Sequence, residues 1–145
     1  MACKLERRVG RRLAKVVVLD ASALIALTSS KDPHHEWAME MFRDTASFDL
    51  QMTALTHAEV LVHPERSGKL DKFLKSLASL GLSITPIEVT DSNKLAVIRA
   101  STSLKMPDAV VLLQAMKVDG SIATTDQRLA TEAKRKRVGV FHPTN

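Results

Sequence analysis

Four acidic residues stand at positions where their surroundings favour metal chemistry. They are Asp20, Glu59, Asp108 and Asp126. Asp20 and Glu59 are embedded in apolar sequence, and a buried carboxylate without a partner is costly, so it needs a cation or must take up a proton. A bound divalent ion would also relieve the repulsion between converging acids. Because oxygen-only ligation favours hard cations, the sequence predicts Mg²⁺ or Mn²⁺, and it offers no Cys/His spacing suited to zinc.

Such a site suits the hydrolysis of phosphodiester bonds. A metal ion lowers the pKa of a bound water and stabilises charge on the phosphate that reacts. The hydroxyls of Ser22 and Thr124, each two residues from an acid, are predicted to support a carboxylate or a bound water. Taken singly, each acid is also typical of a helix start, where it offsets the helix dipole and accepts hydrogen bonds from free N–H groups.

Strand and helix patterns alternate along the chain. Predicted strands cover residues 15–19, 50–53, 83–89, 121–124 and 138–141. Predicted helices cover residues 21–27, 34–43, 55–62, 69–80, 92–103, 107–118 and 127–136, with the helix that carries Glu59 ending early at His63-Pro64. This alternation predicts an α/β domain of three layers, in which helices cover both faces of a mostly parallel sheet.

The predicted topology brings the four acids together. In a parallel sheet the carboxyl ends of the strands meet at one edge, where ligands bind. Asp20 directly follows the first strand, and Asp126 follows the strand over 121–124. Asp108 lies in the first turn of the helix opened by Pro107, and Glu59 lies early in the helix after residue 53. We therefore expect one shared acidic site.

Composition limits the function classes. A chain of 145 residues fits one domain, and its 3% of aromatic residues, with no Tyr, argues against a module that stacks bases on exposed rings. Cys3 is the only cysteine, so a reducing cytoplasm is predicted. Asp20 interrupts the apolar run after residue 15, which is also too short to cross a bilayer, so no membrane association is expected.

Positive charge is concentrated near the two ends. Residues 1–15 hold six of the 21 Lys and Arg side chains and one of the 16 acids, so residues 16–145 are neutral overall. We interpret 1–15 as a basic leader and 16–145 as the domain. Arg128, Lys134 and Arg135 are candidate RNA contacts through phosphate attraction, the alternative being a solvated helix face.

Four ordered segments resemble the PIN-domain nucleases, specifically VapC-type toxins. They are Val18-Leu19-Asp20-Ala21-Ser22-Ala23-Leu24, Thr56-His57-Ala58-Glu59-Val60, Pro107-Asp108-Ala109 and Ile122-Ala123-Thr124-Thr125-Asp126-Gln127-Arg128-Leu129. The resemblance implies a five-stranded parallel sheet, Mg²⁺- or Mn²⁺-dependent endoribonuclease activity on structured RNA such as tRNA or rRNA, and the four acids as the catalytic site. It also implies a homodimer and a VapB-type antitoxin that blocks the groove. The leader and the early stop at Pro64 depart from the pattern.

Rival functions remain open. A housekeeping RNA-processing nuclease and a catalytically inactive PIN-like module that binds RNA or protein are the alternatives to a toxin. A haloacid-dehalogenase-type phosphatase would need a second Asp where Ser22 stands. Asp32, His34 and His35 suggest a second metal site, but a polar helix start is favoured because adjacent side chains do not share a helix face.

Overall fold

A five-stranded parallel sheet forms the centre of the protein. The computed structural model describes residues 15–144. Its strands are β1 (Val16–Leu19), β2 (Asp49–Thr53), β3 (Ser83–Thr85), β4 (Ser121–Ala123) and β5 (Gly139–Phe141). They lie in the order β3-β2-β1-β4-β5, and each neighbouring pair is parallel. The predicted sheet is confirmed, and its carboxyl edge is shared by all five strands.

Helices cover both faces of this sheet, as the three-layer prediction requires. In the described residues they are α1 (Ala21–Thr28), α2 (His35–Asp44), α3 (Ala54–Arg66), α4 (Leu70–Ala78), α5 (Asp91–Ser101), α6 (Met106–Val118) and α7 (Gln127–Arg135). Val17 and Leu19 pack in one core with α1 to α4, whereas Val18 packs in the other with α5 to α7. This is why β1 is apolar at every position: both of its faces are buried.

Helix α6 anchors one part of the site. Residues 109–115 are all buried, so this helix is surrounded by protein rather than presenting a single apolar stripe. Pro107 lies in its first turn, where the missing N–H costs no helical hydrogen bond. Asp108 follows in the same turn. The buried body of α6 therefore holds a polar first turn at the carboxyl edge of the sheet.

Two predicted element boundaries are wrong. Helix α3 does not stop at Pro64 but continues to Arg66, because a proline in the last turn removes only one N–H donor and its ring here is buried. The third strand ends at Thr85 rather than at residue 89. Pro86 follows it and cannot donate to a ladder, and β3 is an edge strand that pairs with β2 alone.

Two predictions concern regions beyond the sheet. Residues 1–14 of the predicted basic leader lie outside the described residues, so the leader stays a prediction. Lys15, its last residue, precedes β1 and places its ammonium 5.3 Å from the ring centre of Phe48. None of the helices within residues 15–144 is long and apolar enough to cross a membrane.

Candidate active site

Asp20 is the most firmly held acid of the site. It leaves the carboxyl end of β1, caps α1 and is buried. Its Oδ1 accepts a hydrogen bond from the Ala21 N–H at 2.8 Å. Its Oδ2 accepts from the Ser22 hydroxyl at 2.8 Å and from the Thr124 hydroxyl at 2.7 Å. Three donors therefore fix the orientation of this carboxylate, and Oδ1, which accepts only one of these hydrogen bonds, keeps acceptor capacity for a further ligand.

Thr124 connects the ends of two neighbouring strands. Its fully buried hydroxyl donates to Asp20 and accepts from the Asp126 N–H at 3.0 Å. Ser22 acts in parallel, because its hydroxyl donates to Asp20 and accepts from the Thr125 N–H at 2.9 Å. The two hydroxyls thus tie the loop after β4 to the carboxylate after β1. The support predicted for Ser22 and Thr124 takes this form in the structure.

Asp126 lies at the exposed rim of the site. It caps α7, and its Oδ1 accepts from the Leu129 N–H at 2.9 Å. This is the helix-start role considered for a single acid, and it leaves Oδ2 free for other partners. Helix capping and ligand binding are therefore compatible at this residue.

The acids influence one another electrostatically. Burial, followed by the Asp20, Asp126 and Glu59 carboxylates, raises the pKa of Asp108 to about 6, against a smaller opposing effect of the Lys105 ammonium. Burial and the Asp20 carboxylate also raise the pKa of Glu59. The carboxylates of Asp20, Asp126 and Glu59 therefore all lie within electrostatic range of Asp108.

The chemistry of the donor set suits a hard divalent cation, while the spacing of its side chains does not form a closed metal site among residues 15–144. The ligands on offer are carboxylate and hydroxyl oxygens, and the excess negative charge around Asp108 is what a bound cation would neutralise. Within residues 15–144, no three acidic, histidine or cysteine side chains are grouped closely enough to hold a metal ion. Asp20 is fixed by its hydrogen bonds, whereas Glu59 and Asp126 are exposed.

The charge on Asp108 should destabilise the metal-free protein. Its pKa is raised on folding, so its contribution to stability is full below about pH 4 and is lost as the pH rises through about 6. The full shift corresponds to about 3 kcal/mol. Discounting for solvent around a half-buried group leaves roughly 1–2 kcal/mol. We therefore expect Asp108→Asn to raise the melting temperature in EDTA by a few degrees at pH 8 and by almost nothing at pH 4.

Thermal denaturation of the two proteins at both pH values tests this expectation. Asp71→Asn, an exposed acid in the first turn of α4, serves as the control and should change the melting temperature little at either pH. A lower melting temperature for Asp108→Asn at pH 8 would mean that the carboxylate has a stabilising partner instead of repelling neighbours.

The suggested second metal site has a structural explanation. Asp32 Oδ1 accepts from the His34 N–H at 2.8 Å, and the His35 Nδ1 lies 2.8 Å from the Ala26 carbonyl oxygen. These contacts order the start of α2. They match the polar helix start that the sequence favoured.

A groove of about 650 Å³ adjoins Asp108 and Asp126. Arg128, predicted as an RNA contact, lies along it, whereas the other two candidates, Lys134 and Arg135, do not line it. Sequence reasoning missed the two other charged residues that line it, Lys105 and Glu132. The signals for them were faint: Lys105 stands three residues before Asp108, and Glu132 stands four after Arg128, on the same helix face.

Comparison with known proteins identifies relatives by sequence model and by fold. The family model described as "PIN domain" matches residues 17–134. No match was found among curated proteins.

The chain resembles several solved structures over most of its length. A toxin–antitoxin complex from Klebsiella pneumoniae has a TM-score of 0.68 at 18% identity, covering 88% of this chain and 96% of that one. FitAcB from Neisseria gonorrhoeae has a TM-score of 0.68 at 18% identity, and the match covers 86% of this chain and 96% of that one. VapC20 from Mycobacterium tuberculosis, a sarcin–ricin-loop-cleaving toxin, has a TM-score of 0.65 at 11% identity. The match covers 80% of this chain and 94% of that one. At these identities the likeness establishes the fold.

Proposed function

Because the chain belongs to the PIN-domain family, we propose that it is a Mg²⁺- or Mn²⁺-dependent endoribonuclease acting as the toxin of a type II toxin–antitoxin pair. Its substrate is structured RNA, tRNA or rRNA, and its site residues are Asp20, Glu59, Asp108 and Asp126. The observation that carries the proposal is the electrostatic coupling of these acids: burial, followed by the Asp20, Asp126 and Glu59 carboxylates, raises the pKa of Asp108. A fold without a ligand to bind there would gain nothing from this repulsion.

The site supplies what a metal-assisted hydrolysis needs. Asp20, Asp108, Asp126 and Glu59 would hold the ion. When bound, the ion would lower the pKa of a water molecule and neutralise charge on the phosphate. Ser22 and Thr124 orient Asp20, so its carboxylate need not rearrange when a ligand enters.

Glu59 is the proposed proton acceptor. Attack of water on phosphorus breaks one phosphorus–oxygen bond, and the attacking water must lose a proton. Glu59 as a whole residue is exposed on α3, but neighbouring atoms partly desolvate its carboxylate. This desolvation and the Asp20 carboxylate raise the pKa of Glu59, so it binds a proton more readily than a free glutamate does. It can also change rotamer at the mouth of the site without breaking the Asp20 hydrogen bonds.

The toxin role and the antitoxin partner are supported by the fold. A toxin–antitoxin complex and a sarcin–ricin-loop-cleaving toxin share this fold, which supports a toxin with a VapB-type antitoxin. The homodimer is proposed from the family resemblance alone. A single cysteine and an RNA substrate support a cytoplasmic location. The alternatives are a housekeeping RNA-processing nuclease and an inactive PIN-like binding module.

Expression of the chain alone tests the proposal. We expect growth arrest and discrete cleavage products of tRNA or rRNA in the extracted RNA, compared with cells that carry an empty vector. If a short upstream reading frame encodes a DNA-binding antitoxin, its co-expression should restore growth. Trimmed RNA precursors without arrest would indicate a housekeeping enzyme, and intact RNA with normal growth would contradict nuclease activity.

A further inference from the structure

The groove beside Asp108 and Asp126 leads away from the acidic site along one side of helix α7. On one wall it has Lys105 from the segment before α6, and on the other wall it has residues of α7. The α7 residues are Gln127, Arg128, Thr131 and Glu132, which form two pairs of neighbours four positions apart on the helix surface. Asp20 and Glu59 do not line it. The groove therefore adjoins two of the four acids, Asp108 and Asp126, and extends the site on their side.

Cations stand where this groove meets the acids. Lys105 and Arg128 are both exposed and both line it. Lys105 lies near enough to Asp108 for its ammonium to influence that carboxylate. A phosphate next to the one being cleaved would reach these two side chains, and both are phosphate-binding residue types.

One of the residues that line the groove, Glu132, has a buried carboxylate. The Glu132 side chain is only 10% exposed, and its Oε1 accepts from Arg135 Nη1 at 3.2 Å. That arginine is itself 70% exposed, so its charge is largely solvated and offsets little of the cost of burying Glu132. Each carboxylate oxygen can accept two hydrogen bonds, so both oxygens of Glu132 retain acceptor capacity.

We propose that this groove binds the nucleotide adjoining the scissile phosphate, with Lys105 and Arg128 on its phosphate and Glu132 selecting guanine by its Watson–Crick edge. Guanine presents two adjacent donors there, N1–H and the 2-amino group, which match the two oxygens of a carboxylate. Adenine and cytosine each place an acceptor beside their single amino group, and uracil flanks its one N–H with two acceptors. These acceptors would face the carboxylate and be repelled.

The inference rests on the proposed ribonuclease function but depends on a different residue. Nuclease activity requires only the four acids, whereas base selection requires Glu132. Hence the two can fail independently.

Cleavage of a randomised RNA pool, followed by sequencing of the ends, measures the selection. We expect guanine to be enriched at one nucleotide flanking the cut. Replacing that guanine with inosine, which lacks the 2-amino group but keeps N1–H, should slow cleavage about tenfold, since one good base contact discriminates by ~1–3 kcal/mol. Glu132→Gln should abolish the difference between guanine and inosine.

Arg135→Gln is the matched control for the ion pair. It removes the same salt bridge as Glu132→Gln but leaves the carboxylate in place, so the preference for guanine over inosine should persist. If both variants lose the preference equally, or if Glu132→Gln keeps it, Glu132 does not read the base and the proposal is wrong.

RNA binding at several salt concentrations tests whether Lys105 and Arg128 contact the phosphate. Lys105→Gln and Arg128→Gln should each weaken binding to a similar extent for all sequences, and each should reduce the slope of log affinity against log salt by about one. Lys72→Gln, on exposed α4, should leave the slope unchanged. Unchanged slopes in both groove variants would overturn the assignment of the phosphate contacts.

Binding and cleavage together separate the two proposals. If the chain binds guanine-containing RNA in a Glu132-dependent way but cleaves nothing, the groove assignment holds and the nuclease function fails. If it cleaves RNA with no Glu132-dependent preference, the nuclease function holds and the base-reading role fails.

Discussion

Asp20→Asn is expected to reduce RNA cleavage by about 10²-fold or more, because the substitution removes a charge worth several kcal/mol to a bound cation and each 1.36 kcal/mol is tenfold in rate. Asparagine has nearly the same shape as aspartate. The Ala21 N–H can still donate to the amide oxygen, and the Ser22 and Thr124 hydroxyls can rotate to accept from the amide NH₂, so the variant should still fold. The loss then reports chemistry, not unfolding. Initial cleavage rates of purified wild type and variant, with melting curves of each, provide the measurement.

A matched control makes the result specific. Asp71→Asn carries the same chemical change on exposed α4, away from the sheet's carboxyl edge, and should cleave at the wild-type rate. In cells, Asp20→Asn and Asp108→Asn should both relieve the growth arrest. Wild-type cleavage or undiminished toxicity in both variants would rule out a mechanism that depends on this acidic site.

Removing divalent cations is expected to stop cleavage altogether. Without a cation the four acids repel one another, and a phosphate approaching them would meet uncompensated negative charge. EDTA should therefore reduce cleavage to background, and excess Mg²⁺ or Mn²⁺ should restore it. Binding of the ion should also raise the melting temperature, since a ligand at 100 times its dissociation constant stabilises the folded state by about 2.7 kcal/mol.

The melting curves keep this prediction independent of the assay. The stabilisation by Mg²⁺ should be lost in Asp20→Asn, which removes a ligand, and retained in Asp71→Asn. Because Asp108→Asn removes repulsion as well as a ligand, it should be more stable than the wild type in EDTA but gain less on adding the metal. Cleavage that persists in EDTA would contradict metal dependence.

Local sequence was sufficient to predict the architecture, and it nominated the four acids as a shared site. The apolar run in β1 and the alternation of strand and helix patterns depend on contacts a few residues apart, which composition and periodicity record. The convergence of Asp20, Glu59, Asp108 and Asp126 followed from a general property of parallel sheets. Errors arose where tertiary context prevailed: burial carried α3 past Pro64, and the edge position with Pro86 shortened β3.

Which residues follow the strands was readable from the local sequence, and in a parallel sheet these residues occupy its carboxyl edge. How they are held and what adjoins them depend on contacts between distant parts of the chain. Thr124 reaches Asp20 across 104 residues, and Glu132 is buried beside a groove whose other wall comes from the segment before α6. Such contacts depend on the packing of α6 and α7 against the sheet. No local pattern records them, since packing joins residues that the chain separates.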